Sequence, residues 1–133
     1  MKIKNSELNS VITFLDGIKL IGEASIGRTK LKDGLSFLNE AYGKDQTITI
    51  DEFDQWADES KTSFKTTNDK LMKAINKLNN KEVTINIDDV LFIDDLKKAL
   101  DDYKGELEGK NADAYAMLVL EFKENESKKE EVK

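Results

Sequence analysis

The sequence predicts a mainly α fold: five or six helices in one bundle-like domain, with a small two- or three-stranded sheet built from residues 2–4, 47–50 and 83–87. Three observations lead there. Apolar residues recur at intervals of three and four over most of the chain, the spacing that gathers them on one face of a helix. Two short β-branched runs interrupt that pattern, and strands so short need partners. The length of 133 residues is that of a single domain of ordinary size.

Each element follows from local chemistry. Asn5 or Ser6 offers an acceptor for an orphan N–H at a helix start, and Leu8, Val11, Ile12, Leu15 and Ile18 then line one face. Gly22 punctuates, Ser25 is a second cap, and Leu31, Leu35, Leu38 and Tyr42 define a helix that should end near Gly43 and pair with the first as a hairpin. Gly43 to Gln46 read as a turn, Thr47 to Ile50 as a strand, and Asp51 as the cap of a third helical region carrying Phe53, Trp56, Phe64, Leu71, Ile75 and Leu78. Its middle, Ser60 to Asn68, is rich in Ser and Thr, which compete for backbone hydrogen bonds, so a break is expected there. An unbroken helix over 52–79 would carry the strand Val83 to Ile87 about 40 Å from the others, whereas a break returns it to them.

Asp88 and Asp89 suit the start of a fourth helix through Val90, Ile93, Leu96, Leu100 and Tyr103, closed by Gly105 or Gly109. Ala112 to Phe122 form a fifth. Residues 1–122 then make the domain, and 123–133, with four Lys, four Glu and one apolar residue, make a charged tail, either solvated helix or disordered.

Composition removes whole classes of chemistry. With no His and no Cys the chain lacks the commonest acid/base group, a thiol nucleophile, disulfides and soft-metal ligands. A net charge of -6 disfavours nucleic acid and anionic membrane as direct partners and favours a protein with a basic surface. Glu7 and Asp16 break the N-terminal apolar pattern, so neither a signal peptide nor a membrane span is expected, and the cytosol of the cell that makes the chain is the expected location. No glycine-rich phosphate loop or nucleophile elbow occurs. Residues 46–53 are similar to the second half of an EF-hand loop, with Glu52 as the bidentate ligand. Ala41 and Gly43 stand where two of the leading oxygen ligands belong, so calcium is not expected. The expectation is a protein without catalytic residues, cofactor or metal.

The residues that remain as binding candidates are charged or aromatic. Asp54 and Asp58 lie in an acidic run, and Asp88, Asp95 and Asp102 repeat at sevenfold spacing, which on one helix shares a face. Carboxylates so spaced either form a solvated face or present an acidic surface that imitates phosphates. Trp56, set among acids, is the aromatic that suits an interface anchor, although a core position is the commoner use. Arg28 and Lys30 belong to a positive N-terminal stretch and suit an anion or an internal ion pair.

The segments Met1 to Asn5 with Phe14 and Leu15, Leu20 to Ser25, Arg28 to Leu31, Leu78 to Val83 and Asn111 to Tyr115 resemble an uncharacterised family of small proteins encoded by tailed phages and prophages of Gram-positive bacteria. The likeness covers the first third of the chain and residues from about 71 to 122. It implies a phage setting and no catalytic residue. The function expected is that of a non-enzymatic accessory protein acting by protein contact, in virion assembly or as a late-gene auxiliary factor, with a homo-oligomer possible. The alternative is an anti-CRISPR-like inhibitor of a host defence nuclease that uses its acidic faces as a nucleic-acid mimic.

Overall fold

A computed structural model describes residues 1–132, the last four by their backbone alone. The order is β1 (Lys2–Lys4), α1 (Asn5–Gly17), α2 (Gly22–Phe53), α3 (Asp69–Asn80), β2 (Glu82–Thr84), a 3₁₀ turn (Ile87–Asp89), α4 (Ile93–Asp101) and α5 (Gly109–Val132). The class is mainly α, with a small antiparallel sheet in which Lys2, Ile3 and Lys4 face Thr84, Val83 and Glu82.

The apolar stripes meet where the spacing placed them. Leu8 and Leu15 of α1, Leu31 and Leu35 of α2, Leu96 and Leu100 of α4 and Leu118 of α5 are fully buried in one core, each worth about 1.5–3 kcal/mol of transfer free energy. Ile3, buried between exposed Lys2 and Lys4, turns the sheet's inner face to that core. Gly27 lets α2 close on the start of α4, because a Cβ there would lie 2.5 Å from the Phe92 carbonyl oxygen. Asn5, expected as a helix cap, is instead 3% exposed and closes the far end of α3. Its backbone N–H donates to the Lys81 carbonyl and its side-chain amide to the Leu78 carbonyl, both at 3.0 Å.

The strand expected at 47–50 is helix, and the sheet has two strands. Helix α2 does not stop at Gly43 but continues to Phe53, so Asp51 belongs to its last turn and caps nothing new. Glycine inside a helix costs about 1 kcal/mol and β-branched residues favour strands, yet both preferences are overridden by packing. Ile50, 4% exposed, joins Leu71 and Ile75 of α3 in a second small core flanked by Phe53, Trp56 and Phe64, and only a continued helix delivers it there. Thr49 adapts by donating its hydroxyl to the Asp45 carbonyl one turn back, at 2.7 Å.

The expected break is present but begins earlier, with residues 54–68 lying outside helix. Likewise β2 ends at Thr84, since Ile87 turns into the core at 0% exposure. The fourth helix begins at Ile93, five residues later than expected, because Phe92 adopts a left-handed φ of 59° that stops any helix from 88 running through. Helix α5 carries on past residue 122 to Val132. Lys133 lies outside the described residues.

Candidate functional site

Helix α4 turns Ile93, Leu96 and Leu100 inward, which leaves Asp94, Asp95 and Asp101 on its outer side, continued by Asp102 at its C-cap. All four are exposed, and none of their carboxylates accepts a hydrogen bond or joins an ion pair among the described residues. Asp94 and Asp95 in the first turn complement the helix dipole, whereas Asp101 and Asp102 at the opposite end oppose it. Helix stability therefore explains the first pair and not the second.

The bases of α4 sharpen the charge of this face. Lys97 folds away toward α5, its ammonium 2.6 Å from the Glu126 carboxylate and 5.7 Å from the Phe122 ring centre, with a side chain only 12% exposed. Lys98 is the one base left exposed on the helix among the described residues. No local pattern announces this pairing, because residues 97 and 126 meet only through the packing of α4 on α5.

Asp88 does not extend the row as sevenfold spacing implied. It sits in the 3₁₀ turn, separated from α4 by the left-handed Phe92, and accepts from the Asn125 side-chain amide at 3.5 Å. Asp54 and Asp58 likewise do not sit one turn apart on a helix. Asp54 is the left-handed C-cap of α2 with φ 51°, and Asp58 lies in the loop that follows.

That loop is tied down from within. Asp58 accepts from the Thr62 backbone N–H at 2.9 Å and from the Thr62 and Ser63 hydroxyls, and the Thr62 bonds hold its carboxyl below the usual carboxylate range. Asp51 accepts from the Trp56 indole N–H and from the Lys61 ammonium at 2.9 Å, which depresses its pKa in the same way, the indole bond first. Trp56 pairs with Phe64 in an isolated antiparallel bridge, braced by Ala57 N–H to Ser63 at 2.9 Å and Lys65 N–H to Gln55 at 2.7 Å. Half-buried against the second core, Trp56 is the loop's internal anchor.

Arg28 and Lys30 part company. Arg28 donates to the Ile18 carbonyl and to the Ser25 hydroxyl, stapling the connection between α1 and α2, and the ion pair of this region is Lys32 with Asp16 at 2.9 Å. Lys30 is exposed on the outer side of α2. That side also carries Ile26, Phe37 and Ile48, exposed by 43%, 73% and 58%. Their regular interval was the overlooked sequence signal.

The segment compared with a calcium loop, 41–52, is uninterrupted helix, so Asp45 and Glu52 are not wrapped around a common centre. Among the described residues no group of three or more acids is placed to hold a metal ion, and no helix is long and apolar enough to cross a membrane. Compared with known proteins, the chain matches no family model, no curated protein and no solved structure.

Proposed function

We propose that this is a non-enzymatic accessory protein of a phage or prophage that acts in the bacterial host cytoplasm, by contact with a protein bearing a basic surface. The observation that carries the reading is the outer side of α4. Four exposed carboxylates stand there, two of them where the helix dipole disfavours them, while Lys97 is withdrawn onto α5. Charge kept against local preference points to use, and a complementary partner supplies one. The phage setting rests on the sequence resemblance.

A narrower version takes the partner to be a host defence nuclease and the face to be a substitute for nucleic acid. It rests on Asp95 and Asp102, two turns apart and about 10.5 Å along the axis. Asp54 with Asp58 and Asp88 with Asp95 add no helical ladder to it, since neither pair shares a helix.

The test is affinity capture of the tagged protein from infected cells, repeated with Asp95 and Asp102 both replaced by Asn. The wild type should retain a basic partner at low salt and release it as salt rises past the Debye regime, at roughly 0.5 M. The double variant should capture less while melting within about two degrees of wild type, as expected for exposed positions. Equal capture by both proteins at every salt concentration sinks the reading.

A further inference from the structure

Helix α3 carries the opposite charge to the outer side of α4. At about 100° per residue, Lys70, Lys73 and Lys77 fall within about 60° of one another around the helix, and Lys81 continues the row at its C-cap. They point away from Leu71 and Ile75, which are buried. All four lysines are exposed, and none of their ammonium groups has a partner among the described residues. Asp69 is the one acid of the helix. Lys70 stands in the first turn, where the helix dipole disfavours a cation, just as it disfavours Asp101 and Asp102 at the end of α4.

Within one chain the two charged faces are kept apart. Helix α3 meets α2 through Tyr42 and Ile50, whereas α4 meets it at Gly27. Tyr42 and Gly27 are about 22 Å apart along the axis of α2, more than two Debye lengths at 0.1 M salt. Lysines and aspartates separated in this way neutralise each other between molecules, not within one.

We propose, resting on the proposed use of the α4 face, that its basic partner is a second copy of this chain, whose α3 lysines dock on Asp94, Asp95, Asp101 and Asp102. The two rows are opposite in sign and equal in length. Four exposed lysines with Asp69 on one helix face four exposed aspartates with Lys98 on the other. Lys70 to Lys77 and Asp95 to Asp102 each span seven residues, about 10.5 Å. A contact between two different faces is heterologous, and it closes as a dimer when each copy supplies its α3 to the α4 of the other. The net charge of -6 opposes the approach of two copies at long range, while the rows act within a Debye length of contact. Exposed ion pairs of this kind are individually weak, so the dimer belongs to the reversible, salt-sensitive class.

Sedimentation velocity of the full chain from about 5 to about 500 μM should show monomer passing to dimer at about 50 mM salt and monomer throughout at about 0.5 M. Lys73→Glu with Lys77→Glu should weaken association at least tenfold, and so should Asp95→Lys with Asp102→Lys. Each should melt within about two degrees of wild type, because the positions are exposed. An equimolar mixture of these two double variants should associate again, through one unaltered α3-on-α4 contact and one with the signs exchanged. Both variants keep a net negative charge, so overall attraction does not account for the rescue. Lys30→Glu with Lys44→Glu makes the same change in net charge at exposed positions of α2 and should dimerise within about twofold of wild type. A wild type that stays monomeric at low salt, a mixture that does not associate, or an equal loss in the α2 variant overturns the proposal. So does a monomeric wild type that binds a labelled single-stranded oligonucleotide through Lys73 and Lys77, since the lysine row then serves a polyanion. Capture of another basic protein that depends on Asp95 and Asp102, with no self-association of the purified chain, removes the second copy as partner and leaves the proposed function standing.

Discussion

Two glycines of one helix should respond oppositely to the same methyl group. Both Gly27 and Gly43 lie inside α2, so replacement by Ala brings each the same gain in helix propensity, about 1 kcal/mol. At Gly43 nothing lies within 4 Å of the added Cβ, so the gain appears undiminished. With an unfolding entropy of about 2.1 cal/mol/K per residue, a domain of this size should melt about 3–4 °C higher. At Gly27 the new Cβ meets the Phe92 carbonyl oxygen at 2.5 Å, its carbon at 3.1 Å and the Leu96 Cβ at 3.2 Å. Two of those three neighbours are backbone atoms, and the oxygen already accepts the Leu96 N–H at 3.2 Å in the first turn of α4. Relief requires moving α4, and overpacking of this kind costs about 1–3 kcal/mol. Because the propensity gain cancels between the variants, their difference isolates that cost. Urea unfolding followed by helical circular dichroism measures both. If Gly43→Ala destabilises by more than about 0.5 kcal/mol, residues 43–50 are not helical and the extension of α2 is wrong. If the two variants are equally stable, α2 and α4 do not meet at Gly27.

Acid should loosen the 54–68 loop before it unfolds the domain. Asp51 and Asp58 have folded pKa values below the ordinary one, so what they contribute is complete above about pH 5 and is lost as pH falls through the folded values, below about pH 4. The chain's single tryptophan reports it: Trp56 emission should change in that window ahead of the helical signal and lose the early step in Asp51→Asn, whereas one shared transition in wild type refutes the clamp. Asn5→Asp should destabilise more than Asn5→Ala. The amide that donates to the Leu78 carbonyl becomes a buried carboxylate facing an acceptor, and the buried Oδ1 has no partner among the described residues to offset it. A cost of about 3 kcal/mol or more is expected against about 1–3 for alanine, read from denaturant midpoints; the reverse order refutes Asn5 as the closure of α3.

Much of the fold was legible because it is written locally. Leu8, Val11 and Leu15, or Leu96 and Leu100, announce their burial through spacing alone, and all are buried. The stretch from Gly43 to Ile50 was misread for the opposite reason. Its glycine, threonines and isoleucines favour turn and strand, while the deciding contacts of Ile50 are with Leu71 and Ile75, more than twenty residues away. Phe92 shows the same limit, since nothing in its neighbours marks a bulky residue for a left-handed backbone held by helix packing. Among the candidate residues, Asp95, Asp102 and Lys30 lie on exposed surface, Lys30 outside the ion pair expected of its segment. Trp56, Asp58 and Arg28 have internal partners, and side chains with such partners look the same in a sequence as those without.

The division of buried side chains between a large core and the small one of Ile50, Leu71 and Ile75 also bears on how this chain tolerates change. Three buried residues cannot enforce cooperativity on the whole molecule, so the far end of α2 and its loop form a semi-autonomous tip that opens at a lower free energy than the body. Variation at 54–68 is then paid for locally: insertions or substitutions there tax the tip and leave the assembly of α1, α2, α4 and α5 intact. Such a layout separates evolvability from foldability, with a conservative chassis at one end and a segment free to diversify at the other.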